Sequence, residues 1–143
     1  MPVLREKTGK APEIVGIQNE VTQSAGDWQK MAKALRAGLD AAGFLSTRIH
    51  MHNAATSPLG VAAAKAFRED PDAWKAIDYA ASNLYDYQSF FRDADGYDAR
   101  LAELRTATDS KNFLAVELCV NNGEFQTRSC RVALRWASST TNC

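Results

Sequence analysis

The 143-residue chain is poor in the residues that usually announce a site, with three cysteines, two histidines and four prolines. Cys119, Cys130 and Cys143 are odd in number and lack metal-type spacing, so they give no disulfide framework and leave the redox compartment open. His50 and His52 have no third histidine or matching cysteine pair, so no metal site is expected. Charge of one sign is missing too. Seventeen basic residues balance seventeen acidic ones, which leaves no nucleic-acid footprint and no acidic tail. No apolar run approaches the ~20 residues of a membrane span. The opening Met1-Pro2-Val3-Leu4-Arg5-Glu6-Lys7 lacks the apolar core of a signal peptide. No repeat or low-complexity stretch is present, and no glycine-rich phosphate loop follows any predicted strand, which counts against nucleotide binding.

What is present is an alternation of short apolar runs with amphipathic segments, the pattern of an α/β domain with a parallel sheet covered by helices. The length suits one domain with a real core. After a lead-in over 1–12, four βα units occupy 13–138 and a tail follows over 139–143. The first strand is expected over 14–17, buried on both faces. Ser24 with Asp27 opens a helix in the manner of a short capping box. Trp28, Met31, Ala32, Leu35, Leu39 and Ala42 would face the sheet, and Gly43 would stop the helix. Leu45 to His52 reads as the second strand, followed by an Ala-rich helix near 59–69 that Asp70-Pro71 breaks. Asp72 to Lys75 adds one turn. Ala76 to Leu84 is the third strand, Asp98 to Thr106 a short helix, Asn112 to Val120 the fourth strand and 127–138 the last helix. Four such units make a partial (β/α)8 TIM barrel, since a complete one needs roughly 250 residues. The alternative is a small open doubly wound sheet.

Two of the strands end in a carboxylate. Glu20 closes Glu13-Ile14-Val15-Gly16-Ile17-Gln18-Asn19-Glu20, and Glu117 closes Phe113-Leu114-Ala115-Val116-Glu117. An ionised carboxylate is costly to bury unpaired, but it suits the mouth of an α/β barrel, where such enzymes place their chemistry. Two carboxyl groups across a cleft are what glycoside hydrolysis needs: one protonates the leaving oxygen, and the other attacks the anomeric carbon or activates water. The two roles need opposite pKa tuning. Asn19 could donate to a sugar hydroxyl, and Tyr85 could hydrogen-bond the nucleophile. Two solvated strand ends would give the same pattern.

Ile17-Gln18-Asn19-Glu20 resembles the acid/base motif of the large clan of retaining (β/α)8 glycoside hydrolases. There the acid/base follows an Asn at the end of the fourth barrel strand, and a glutamate ending the seventh is the nucleophile. Within the clan the chain looks most like glycoside hydrolase family 30, in its galactan endo-β-1,6-galactosidase-like branch. Ala80-Ala81-Ser82-Asn83-Leu84-Tyr85-Asp86-Tyr87-Gln88 and Phe125-Gln126-Thr127-Arg128-Ser129-Cys130-Arg131-Val132-Ala133-Leu134 carry that likeness. It runs from barrel strand four to the helix after strand seven. Val21 stands where many relatives have proline, and strands one to three and eight have no counterpart. The resemblance implies Glu20 as acid/base, Glu117 as nucleophile, Asn19 near the 2-hydroxyl and Tyr85 orienting Glu117. It also implies a β-linked galactan or similar polysaccharide as substrate, no metal or organic cofactor, and a secreted enzyme. The other outcome for such a chain is a catalytically inactive barrel fragment or a carbohydrate-binding remnant, with self-association through open barrel edges.

Other residues carry weaker signals. His50 and His52, two apart on a strand, should face the same way, with His50 lining the sugar cleft. Trp28, Trp74 and Trp136 fall in predicted helices and read as core. Cys119 reads as a small buried hydrophobe. Arg128, Arg131 and Arg135 form one solvated helical face. Gln126, in the loop region after the fourth strand, is a subsite candidate.

Overall fold

A computed structural model describes residues 6–7, 9–21, 23–109 and 111–117. Gln126, the predicted last helix, the predicted strand end over 118–120, the tail and all three cysteines lie outside the described residues.

Four parallel strands form one sheet: β1 (Ile14–Gly16), β2 (Arg48–His50), β3 (Tyr79–Ser82) and β4 (Asn112–Ala115), in the order β1-β2-β3-β4. Between them run α1 (Ala25–Ala41), α2 (Ser57–Arg68), α3 (Pro71–Ala76), a 3-10 helix (Tyr85–Phe91) and α4 (Ala94–Ala107). A doubly wound sheet reverses its strand order at a switch point. Among the described strands there is no reversal, so this sheet is singly wound. Right-handed connections then put the linking helices on one face. The register agrees. Val15 pairs with Ile49, and Ala80 with Phe113. Those side chains join the core with Trp28, Ala32, Leu39, Val61, Ala64, Phe67 and Leu104 from the helices. The opposite face carries Ile14, Gly16, Arg48, His50 and Tyr79, aligned by the pairs Ile14 with Arg48, Gly16 with His50 and His50 with Tyr79. This second face has no helix over it among the described residues.

Local signals set most boundaries. Ser24 caps α1 by accepting from the Asp27 amide at 3.2 Å, and its hydroxyl donates to the Asp27 carboxylate at 2.7 Å. Gly43 takes a left-handed φ of 77° just past the helix, a conformation glycine adopts without a Cβ penalty. Asp70 caps α3 through the amides of Asp72 and Ala73, both at 3.0 Å.

Several expectations are corrected. β1 is an edge strand and is not buried on both faces, with Ile14 41% exposed. Met31 and Ala42 are exposed, because the stripe of α1 that meets the sheet is narrower than its apolar spacing suggests. The second strand starts at Arg48, not Leu45. Phe44 turns into the core after Gly43 and leaves Leu45 74% exposed. α2 begins at Ser57 because Pro58 fits the first turn, where its missing N–H costs nothing. Ala76 ends α3, so the third strand starts at Tyr79, and Tyr85 to Tyr87 enter a 3-10 helix. α4 begins at Ala94, four residues earlier than expected, because Asp93 caps it through the Gly96 amide at 2.9 Å.

Candidate functional site

The parallel ladder continues past each short strand, and this extension assembles the site at the C-terminal ends. Asn53 N donates to Gln18 O, and Glu20 N to Asn53 O, both at 3.0 Å. Asn83 N donates to Ala54 O at 2.7 Å, Val116 N to Ser82 O at 3.1 Å and Leu84 N to Glu117 O at 2.9 Å. Each strand therefore delivers a polar residue to one level: Asn19 and Glu20 from β1, Asn53 from β2, Asn83 and Tyr85 from β3, and Glu117 from β4.

The side chains connect. Asn83 Nδ2 donates to Glu20 Oε1 at 2.8 Å and approaches Asn19 Oδ1 at 3.4 Å. Asn53 Nδ2 donates to the same Asn19 oxygen at 3.1 Å. Tyr85 donates its phenolic hydrogen to Glu117 Oε2. The Tyr85 phenol pKa is pushed up, first by its hydrogen bond to Glu117, then by desolvation and the Glu117 charge. The phenol bonds Glu117, and Glu20 acts on it only as a weaker neighbouring charge. Glu20 is held in place by its backbone as well as its side chain. Its φ is 52°, a left-handed value rare outside glycine and costing on the order of 1 kcal/mol, which the bond to Asn53 O sustains.

The 3-10 helix fixes Tyr85 in turn. Asp86 accepts from Ser57 N at 2.9 Å and from the Ser57 hydroxyl. It thereby caps the start of α2 from 29 residues downstream, a task Thr56 leaves open, since its side chain makes no capping bond.

Of the residues expected at the site, Asn19, Glu20, Tyr85 and Glu117 are brought together. His50 stands apart from that network. Its ring lies over Gly16, where a Cβ would meet Cε1 at 2.3 Å, and its Nδ1 bonds Met51 O at 2.6 Å. The expectation that His50 and His52 face one way is corrected. β2 ends at His50, and beyond it His52 turns to stack on Trp28 of α1, with centroids 4.2 Å apart and planes 4° apart. Desolvation there lowers the His52 pKa to about 4. Trp28 is core as expected, while Trp74 is half-buried under Lys111, 4.8 Å from the ring centre. Among the described residues, no three His, Cys, Asp or Glu side chains are grouped so as to hold a metal ion, and no helix is long and apolar enough to cross a membrane.

Sequence reasoning missed Asn53 and Asn83. A signal existed, since an Asn follows three of the four strands at the same level, but an isolated Asn in a loop usually reads as turn chemistry.

No family model, curated protein or solved structure matches the chain. Its function is therefore read from the geometry of this site.

Proposed function

We propose that this chain carries the catalytic pair of a retaining β-glycosidase built on a (β/α)8 barrel plan, with a β-linked galactan or similar polysaccharide as substrate. One observation carries the reading: the end of β3 holds both carboxylates, Tyr85 bonding Glu117 and Asn83 bonding Glu20. A retaining pair stands about 5–5.5 Å apart and an inverting pair about 6.5–9.5 Å, and the retaining assignment follows the family resemblance.

In this mechanism the Glu117 carboxylate attacks the anomeric carbon and forms a glycosyl ester. Glu20 gives its proton to the departing glycosidic oxygen. Glu20 then takes a proton from water as that water's oxygen attacks the ester-linked carbon, which frees Glu117 and restores the acid. Tyr85 holds Glu117 by a charge-assisted bond. Asn83 holds Glu20. Asn19 spends its carbonyl oxygen on Asn53 and Asn83, which leaves its amide N–H groups to donate to a sugar hydroxyl. His50 is one layer deeper than this network and is the weaker substrate contact. Gln126 remains a candidate subsite residue.

A second reading is a carbohydrate-binding or inactive product of the same lineage. It is favoured by the exposure of both carboxylates, because oxocarbenium-like chemistry gains from a water-excluding cleft.

A labelling experiment separates the two. 2,4-Dinitrophenyl 2-deoxy-2-fluoro-β-galactoside has a leaving group that needs no acid. Attack by Glu117 would form a fluoroglycosyl ester and release dinitrophenolate. Intact-mass and peptide analysis should show one adduct on Glu117. Glu20→Gln should still be labelled, and Glu117→Gln should not. Galactan binding with no adduct would favour the second reading, and an adduct on another residue would sink the nucleophile assignment.

A further inference from the structure

Beside the carboxylate site, between α1 and α2, lies a cavity of about 350 Å³. That volume falls in the range of small-molecule sites, which are mostly apolar with a few fixed polar groups. Its buried lining includes Trp28, Phe67 and His52. Its lip includes Val21, 41% exposed, and Leu59, 56% exposed. Large apolar side chains placed in solvent around a buried floor have no structural reason to gather there unless something covers them.

The floor holds two polar oddities. His52 is only 8% exposed, and its Nδ1 has no hydrogen-bond partner. Asn53, which lines the same cavity, has a buried Oδ1 in the same condition. Both atoms are sealed from solvent, so a molecule in the cavity reaches neither, and Nε2 is the ring nitrogen left to meet one. The imidazole is neutral, since burial lowers its pKa to about 4, and a neutral ring protonates one nitrogen only. Stranding a buried N–H is rarer than stranding an acceptor, so the sealed Nδ1 is the unprotonated nitrogen and Nε2–H is the donor. The ring between Trp28 and Phe67, at 4.2 and 6.0 Å, fixes the plane in which that donor lies. Glu20 at the edge of the cavity disfavours an anion.

We propose that this cavity, which shares Glu20 with the carboxylate site, is a ligand site for a compact uncharged aromatic ring bearing a hydroxyl or carbonyl oxygen. The ring packs against the apolar lining, and the oxygen accepts from His52 Nε2–H.

Phenol and toluene are matched probes, alike in shape and unlike in the oxygen. In NMR titrations of the full chain, phenol should give saturable shifts at the Trp28 indole and the His52 imidazole. It should bind about 3- to 10-fold more tightly than toluene, the span of one neutral hydrogen bond. His52→Phe keeps the stack and removes the donor, so it should bind both probes equally. Ala63→Phe fills the cavity and should bind neither, with circular dichroism confirming its fold. If Ala63→Phe does not fold, the His52→Phe comparison decides alone. The absence of saturable phenol shifts, or a phenol preference that survives in His52→Phe, overturns the proposal.

Discussion

At the scale of single residues, environment decides what each side chain can do. Glu20 and Glu13 are both exposed carboxylates of the same segment, yet only Glu20 meets the extended ladder, where Asn83 reaches it. His52 shows the same dependence. In the unfolded chain it takes up a proton near pH 6.5, whereas the folded chain withholds protonation until about pH 4. Between those values the unfolded state binds more protons, so stability rises with pH across the window and is fully present above it. Acidification from pH 6.5 to 4 should therefore cost up to about 3 kcal/mol through this one group, at roughly 1.4 kcal/mol per pH unit. Urea titrations at successive pH values should show that loss, and His52→Phe should remove most of it. A variant with the same pH slope as the parent would assign the acid sensitivity elsewhere.

At the scale of elements, α2 depends on a cap that its own sequence does not supply. Its first amide and the Ser57 hydroxyl bond Asp86, which the 3-10 helix brings back from the far side of β3. That contact also sets where Tyr85 begins. Asp86→Ala should destabilise the fold by about 1–2 kcal/mol, the usual worth of an N-terminal cap, and Asp86→Asn should cost less because it keeps one acceptor. Equilibrium unfolding of the three proteins checks the order, and equal stability of all three would rule out the cap. α2 also lies unusually close to β3. A Cβ on Gly60 would meet Ser82 Cβ at 2.9 Å, so glycine here serves the approach of helix to strand and not a turn.

At the scale of the whole molecule, the sheet has one covered face and one with no helix over it. Ile14, 41% exposed, sits on that second face of an edge strand. β1 has no outer neighbour among the described strands, and an unpaired parallel edge is a template for another chain. That open edge is the reason to expect self-association of the chain. Sedimentation velocity should show a concentration-dependent dimer, and Ile14→Lys should shift it towards monomer. A monomer across the whole concentration range would refute the pairing.

The sequence alone determined the alternation of elements, the cap at Ser24, the break at Asp70-Pro71, the stop at Gly43 and the two strand-end glutamates, because these follow from spacing and from local hydrogen bonds a few residues long. Strand limits were less legible. Leu45 and Ala76 look apolar enough for strands, and only packing sends the chain round them. The Asn19–Asn53–Asn83 cluster, the Asp86 cap, the turn of His52 onto Trp28 and the bonds of Asn83 to Glu20 and of Tyr85 to Glu117 were decided by tertiary structure. Each joins residues about 24 to 64 positions apart, and a parallel sheet sets such neighbours through its register, which no local pattern records.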